Sequence, residues 1–251
     1  MTMQVGLVGS NGIVLASDTR ITREPAGMTT NDIGRAVRSA SACSKMTFSD
    51  NGSIAVSCAE DLESACLVAE HIITDLTEED LANPEAIADG IVRIAETTLS
   101  QEKQKVQCLI VLADHGGLLF RLQFGQVDNK NPNSAWRAEC GQCLDRGFAG
   151  DVTNPSVYWA ERYHCEFLPV EQLVPLAAQL IVSAHLLNSA SVGGLEIVLC
   201  QDSKIVPIPP ERINELRRKA SELDRTIGNL IFGNRLTRTT PSVSQTSASQ
   251  P

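Results

Sequence analysis

Aromatic residues are scarce in this chain, at 4% of 251 residues, and long apolar runs and basic blocks are missing. Without an uninterrupted apolar run near ~18 residues, no segment reads as a membrane helix. Lys and Arg total 21 against 30 Asp and Glu, for a net charge of −9. A chain so acidic, without a basic stretch, is a poor nucleic-acid binder. The start, Met-Thr-Met-Gln-Val, lacks the positive region and apolar stretch of a secretory signal, so the protein is expected in the cytoplasm. Eight cysteines are too few for a secreted disulfide scaffold. Cys66, Cys108 and Cys200 sit in apolar settings and read as core residues. Cys140-Gly-Gln-Cys143 has the spacing of a metal or redox pair, but without a second pair it reads as a hairpin turn. No metal and no cofactor is expected.

With 43% hydrophobic residues and 20% charged, the balance is that of a globular protein, and the length can bury a sizeable core. No internal repeat or interior linker divides it, so residues 1–236 are read as one domain. From Thr237 onward 8 of 15 residues are Ser or Thr, the composition of a disordered tail over 237–251.

Alternation at Met3, Val5 and Leu7 predicts a strand. Asn11-Gly12 predicts a hairpin turn into a second strand over 13–17. Residues 23–44 are polar and loop-like. A further strand pair, 45–48 and 53–57, turns at Asp50-Asn51-Gly52. Helical spacing predicts helices over 59–77 and 84–99, the second opened by Asn83-Pro84. Strands at 106–113 and 118–124 follow, then a short strand into Gly147-Phe148-Ala149-Gly150-Asp151. Helices are predicted from Thr153-Asn154-Pro155 and over 170–187. Strands at 195–200 and 205–208 precede a charged helix from Pro210 to about Leu223. Strands and helices arrive in blocks rather than alternating, which points to α+β. Two sheets face to face, with a helix layer outside each, would bury every apolar face.

Thr2 follows the initiator methionine. A residue this small allows Met1 to be trimmed, which would give Thr2 a hydroxyl nucleophile and an α-amine with a pKa near ~8. Downstream lie Ser17-Asp18-Thr19-Arg20-Ile21-Thr22, Lys45 at a strand start, and the strand-to-helix junction Ser57-Cys58-Ala59-Glu60-Asp61.

This run resembles the proteasome β-subunit family of N-terminal nucleophile hydrolases and its bacterial relatives, most nearly the group called Anbu. The resemblance is strongest over residues 2–76 and looser to about Ile208. It implies a four-layer αββα sandwich and a threonine-type peptidase. Carried over, Thr2 is the nucleophile, Asp18 and Lys45 its partners, and Arg20 the arginine of an Asp-x-Arg motif. Thr22 would pair its backbone with an extended peptide substrate. A backbone N–H at Ser57 or Cys58 would stabilise the oxyanion. Where the family carries a site serine, this chain has Ala149, and Asp151 or Thr153 could substitute. Where the family has an aspartate near the C-terminal helix, Asn188 or Ser189 stands, with Ser191 close by. Self-association into a ring or spiral is implied, with or without an ATPase or unfoldase partner. Two other functions fit the same residues: a catalytically silent ring subunit, and a hydrolase for a small amide.

Overall fold

Alternating burial builds the first hairpin. Strand β1 (Met3–Gly9) pairs antiparallel with β2 (Gly12–Ser17), Gly9 opposite Gly12 across the Ser10-Asn11 turn, one residue earlier than the expected Asn11-Gly12. In β1 the residues Met3, Val5 and Leu7 face one way, and Gln4 and Gly6 the other. The computed structural model describes residues 2–23, 39–101, 103–128, 130–131, 133–189 and 192–232.

Two five-stranded antiparallel sheets form the centre. The first has the order β10-β1-β2-β11-β12, with β10 at Arg146–Gly150, β11 at Glu196–Gln201 and β12 at Lys204–Pro207. In the second the order follows the chain: β5 (Met46–Phe48), β6 (Ile54–Glu60), β7 (Val106–Leu112), β8 (Leu118–Gln126) and β9 (Trp136–Gln142). A separate pair, β3 (Arg20–Arg23) and β4 (Ser39–Ala42), stands beside them.

Helices α1 (Leu62–Asp75) and α2 (Pro84–Thr98) start where side chains cap them: Asp61 accepts from the Ser64 N–H and Asn83 from the Ala86 N–H. Val68, Ile72, Ile87 and Ile91 bury against Val56, Cys108 and Ile110 on the outer face of the second sheet. Helix α4 (Val170–Leu187) covers the first sheet, with Leu173, Ala177 and Ile181 packed on Met3, Val5 and Val14, while α3 (Val157–Tyr163) and α5 (Pro210–Phe232) pack against α4. Between the sheets lie Ile13, Leu15, Ala55, Leu109, Val111 and Leu119. The result is four layers, αββα, with three apolar seams. Each fully buried aliphatic side chain contributes about 1.5–3 kcal/mol.

Helix α4 is long and apolar enough to cross a membrane by composition, yet 61% of it is buried, as befits the central helix of a layer. The 23–44 stretch is not all loop. Residues 20–23 and 39–42 pair as strands although Ser, Ala and Thr give them no apolar alternation. One short strand before Gly147 becomes two, because Trp136, Ala138 and Cys140 alternate onto the α1–α2 seam. Cys140 therefore lies in a strand and only Cys143 in the turn. Helix α5 runs nine residues past Leu223, since its apolar spacing through Leu216, Ala220 and Leu223 continues to Ile227. The Ser/Thr-rich tail lies outside the described residues.

Candidate active site

Three strand ends converge on Thr2. It precedes β1, Asp18 follows β2, and Lys45 precedes β5, so each side chain sits where its strand stops. All three are buried, Thr2 at 8% exposure, Lys45 at 2% and Asp18 at 0%. The Lys45 ammonium Nζ donates to Thr2 Oγ1 at 2.7 Å and to both Asp18 carboxylate oxygens at 3.0 and 3.1 Å. Burial pushes the Lys45 pKa below its ordinary value, and the neighbouring Asp18 carboxylate opposes that fall.

Asp18 is held in turn by main-chain donors. The Met3 N–H reaches Oδ1 at 3.0 Å, while the Arg20 and Gly193 N–H groups reach Oδ2 at 3.1 and 3.4 Å. On the other side of Thr2, the Asp151 N–H donates to the Thr2 carbonyl at 2.7 Å. This close approach requires Gly150, whose φ is +81° and whose added Cβ would stand 2.0 Å from that carbonyl oxygen. Ala149, in contrast, is buried opposite Gln4 in the sheet. Asp151 is the residue beside Thr2, and its carboxylate accepts from the Thr153 hydroxyl at 3.0 Å and the Asn154 amide at 3.4 Å.

The remaining expected residues divide. The Arg20 guanidinium donates to the Ser189 carbonyl and lies against Gly193, so it ties β3 to the loop after α4. Thr22 lies in β3 opposite Ala40. The Cys43 N–H bonds the Thr19 carbonyl, so by strand alternation the N–H and C=O of Thr22 face away from β4, toward an edge an extended peptide could join. Asn188 ends α4, its N–H bonded to Ala184 and its carbonyl to the Val192 N–H. Among the described residues, neither Asn188 nor Ser189 hydrogen-bonds Thr2, Asp18 or Lys45 through its side chain. The donor from that loop is Gly193. Ser191 lies outside the described residues.

The expected oxyanion donors are turned elsewhere. The Cys58 N–H donates to the Lys45 carbonyl at 2.8 Å. Alternation along β6 then turns the Ser57 N–H toward β7, in register with Leu109, and the Asp61 N–H on the Lys105 carbonyl has the same parity. Sequence reading also missed Gln4, whose amide Nε2 crosses between the sheets to the Cys58 carbonyl at 2.5 Å. Its one available signal was its place two residues from Thr2, on the same face of a strand.

Among the described residues, no group of three or more His, Cys, Asp or Glu is placed to hold a metal ion. Cys140 and Cys143 are half-buried free thiols, and burial pushes Cys140 up to about 12.

No protein-family model and no curated protein matches the sequence. Solved structures do. A Gly-1 mutant of Anbu from Hyphomicrobium sp. strain MC1 aligns at a TM-score of 0.63 and 15% identity, covering 92% of this chain and 99% of that one. Anbu (ancestral beta-subunit) from Yersinia bercovieri gives 0.63 and 15%, over 93% and 99%. A chain from the helical assembly of the Anbu complex of Pseudomonas aeruginosa gives 0.61 and 14%, over 90% and 96%. Four layers in this order are thus the fold of the Anbu proteins, proteasome β-subunit-like N-terminal nucleophile hydrolases, and this chain has that fold.

Proposed function

We propose that the chain is a threonine-type peptidase whose nucleophile is Thr2 after removal of Met1. The observation that carries this reading is the Lys45 ammonium at 2.7 Å from Thr2 Oγ1, itself bridged to a fully buried Asp18. A buried cation beside a hydroxyl stabilises the alkoxide character that develops as oxygen attacks. The freed α-amine of Thr2 takes the hydroxyl proton and returns it to the leaving amine. Asp18 keeps Lys45 charged and aimed. The Asp151 main-chain N–H anchors the Thr2 carbonyl and so fixes the backbone that carries the reacting hydroxyl. Thr2 Oγ1 forms an acyl ester with the substrate carbonyl carbon, and water hydrolyses it. The open edge of β3 at Thr22 receives the peptide in extended form.

We further propose that the protein works in the cytoplasm as a self-associated ring or spiral. A helical assembly of the Anbu complex of Pseudomonas aeruginosa supports the self-association. The test is N-terminal analysis of the purified protein, followed by reaction with a threonine-directed β-lactone. The expected result is a chain beginning at Thr2 that gains one ester at that residue. Thr2→Ala should lose the label and peptide hydrolysis while keeping its fold. Retention of Met1, or unchanged hydrolysis in Thr2→Ala, would remove Thr2 from the mechanism.

A further inference from the structure

Acyl transfer to Thr2 needs a donor for the oxygen that becomes anionic. The backbone N–H groups at Ser57 and Cys58 both point into neighbouring strands. At the same position stands a group that the fold leaves unpartnered. Ser57 is 0% exposed and, among the described residues, its Oγ has no hydrogen-bond partner. A buried hydroxyl without a partner is costly and calls for a functional explanation.

Its direction follows from the sheet. Ala55 and Ala59, two residues to either side of Ser57 on β6, belong to the seam between the two sheets. Val56 and Cys58 belong to the outer seam under α1 and α2. The Ser57 side chain therefore points inward, toward the sheet that carries Thr2. Two tethers fix that part of β6 under the nucleophile. Lys45, whose Nζ touches Thr2 Oγ1, holds the Cys58 N–H with its own carbonyl. Gln4, two residues along β1 from Thr2, holds the Cys58 carbonyl with its amide. The next residue back is Ser57, adjacent to the residue that both tethers hold. Among the described residues, Gln4 Oε1 is a second buried atom without a partner.

We infer that the Ser57 side-chain hydroxyl is the oxyanion donor of this site, in the role that a backbone N–H would otherwise fill. This rests on Thr2 being the nucleophile. As Thr2 Oγ1 bonds to the carbonyl carbon, the C=O π pair moves to oxygen and the hydroxyl proton to the α-amine. Ser57 O–H donates a hydrogen bond to that oxygen and keeps its own proton. On collapse the pair returns to re-form C=O, and the leaving group departs with the proton from the amine.

The experiment compares two covalent probes on the full chain and on Ser57→Ala, with Thr2 labelling followed by intact mass. A β-lactone acylates Thr2 through a tetrahedral oxyanion. A peptide vinyl sulfone alkylates it at carbon, with no carbonyl oxygen becoming anionic. Ser57→Ala should label with the lactone about 100-fold more slowly, the lower end of what one oxyanion donor is worth. Its rate with the vinyl sulfone should stay within about twofold. The thermal midpoint should hold or rise, because an unpartnered hydroxyl has been removed and alanine already occupies 55 and 59. Equal lactone rates in the two proteins would overturn the assignment while leaving Thr2 in place. Equal losses with both probes would also overturn it, since the defect would then lie in the nucleophile. A wild-type chain that neither probe labels would overturn the Thr2 reading and this one together.

Discussion

Lys45→Met removes a charge and keeps most of the aliphatic stem, which makes it the sharpest test of the buried cluster. In the native site the Asp18 carboxylate is fully buried and receives the ammonium at 3.0 and 3.1 Å. Taking one partner from a buried pair typically costs about 3–5 kcal/mol, because the other charge stays buried. Asp18 retains the N–H groups of Met3 at 3.0 Å and Arg20 at 3.1 Å, with Gly193 more distant at 3.4 Å. Those bonds to the charged form favour the low end, about 3 kcal/mol. For a chain of this length a kcal/mol moves the midpoint by about 2–4 °C, so the expected fall is about 6–12 °C. Adding Asp18→Asn removes the stranded charge, so the double variant should melt above Lys45→Met alone. The assay is thermal unfolding of all four proteins at one protein concentration and pH 7, with β-lactone labelling alongside. Labelling should be lost in Lys45→Met, and Thr2→Ala/Lys45→Met should be no worse than Thr2→Ala, as for groups acting as one unit. A fall of less than about 2 °C, with additive behaviour in the double variant, would refute the pairing. A Lys45→Met protein that labels at the wild-type rate would refute its part in catalysis.

Gly150→Ala forces a side chain into the left-handed region and against the Thr2 carbonyl, so it should cost about 1–3 kcal/mol in urea unfolding and slow lactone labelling; wild-type behaviour in both would mean residues 150–151 do not position Thr2. Glu196, to which the Ser44 hydroxyl donates at 2.9 Å, has its carboxyl pushed above the ordinary 4.5 by burial. The native state then holds the proton longer than the unfolded chain, so stability drops as pH rises from 4.5 through the native value. Glu196→Gln should flatten that slope in urea midpoints taken between pH 4 and 7, and parallel curves would reject the burial argument. Light scattering on fresh protein should give a mass several times 27.0 kDa, and a monomer at micromolar concentration would favour the small-amide hydrolase.

The sites of Thr2, Asp18 and Lys45 were legible because each lies at a strand end that local signals mark. The Ser10-Asn11 turn fixes β1 against β2 and so brings residue 18 beside residue 2, with Gln4 opposite Ser17. Lys45 could be assigned only through resemblance, since nothing in a lone lysine predicts that β5 will pass under β1. Strand parity decided the rest. Whether position 57 or 58 offers an N–H or a hydroxyl to the seam depends on which neighbour each residue bonds, and no spacing in one strand encodes that. The β3–β4 pair was illegible for a different reason. Ser39-Ala40-Ser41-Ala42 has no apolar face to reveal a strand. The loop after α4 was read as a source of side chains, but Gly193 contributes a main-chain N–H, which any residue type could carry.

A chain terminus is ordinarily the part of a domain most prone to fray, which is a poor place for a reacting atom. Here the backbone around residue 2 is clamped from two directions. Its carbonyl is taken by the Asp151 N–H, and the next N–H, that of Met3, is taken by the Asp18 carboxylate. β1 is itself an interior strand, with β2 on one side and β10 on the other. In the proposed mechanism, removal of Met1 adds a free α-amine beside the hydroxyl that already rests on Lys45. Asp18 serves both ends of this arrangement, fixing the main chain with the same carboxylate that holds the cation. Replacing it should therefore disturb the position of Thr2 as well as its electrostatics, and Thr2 is preorganised by the sheet rather than by a cap of its own.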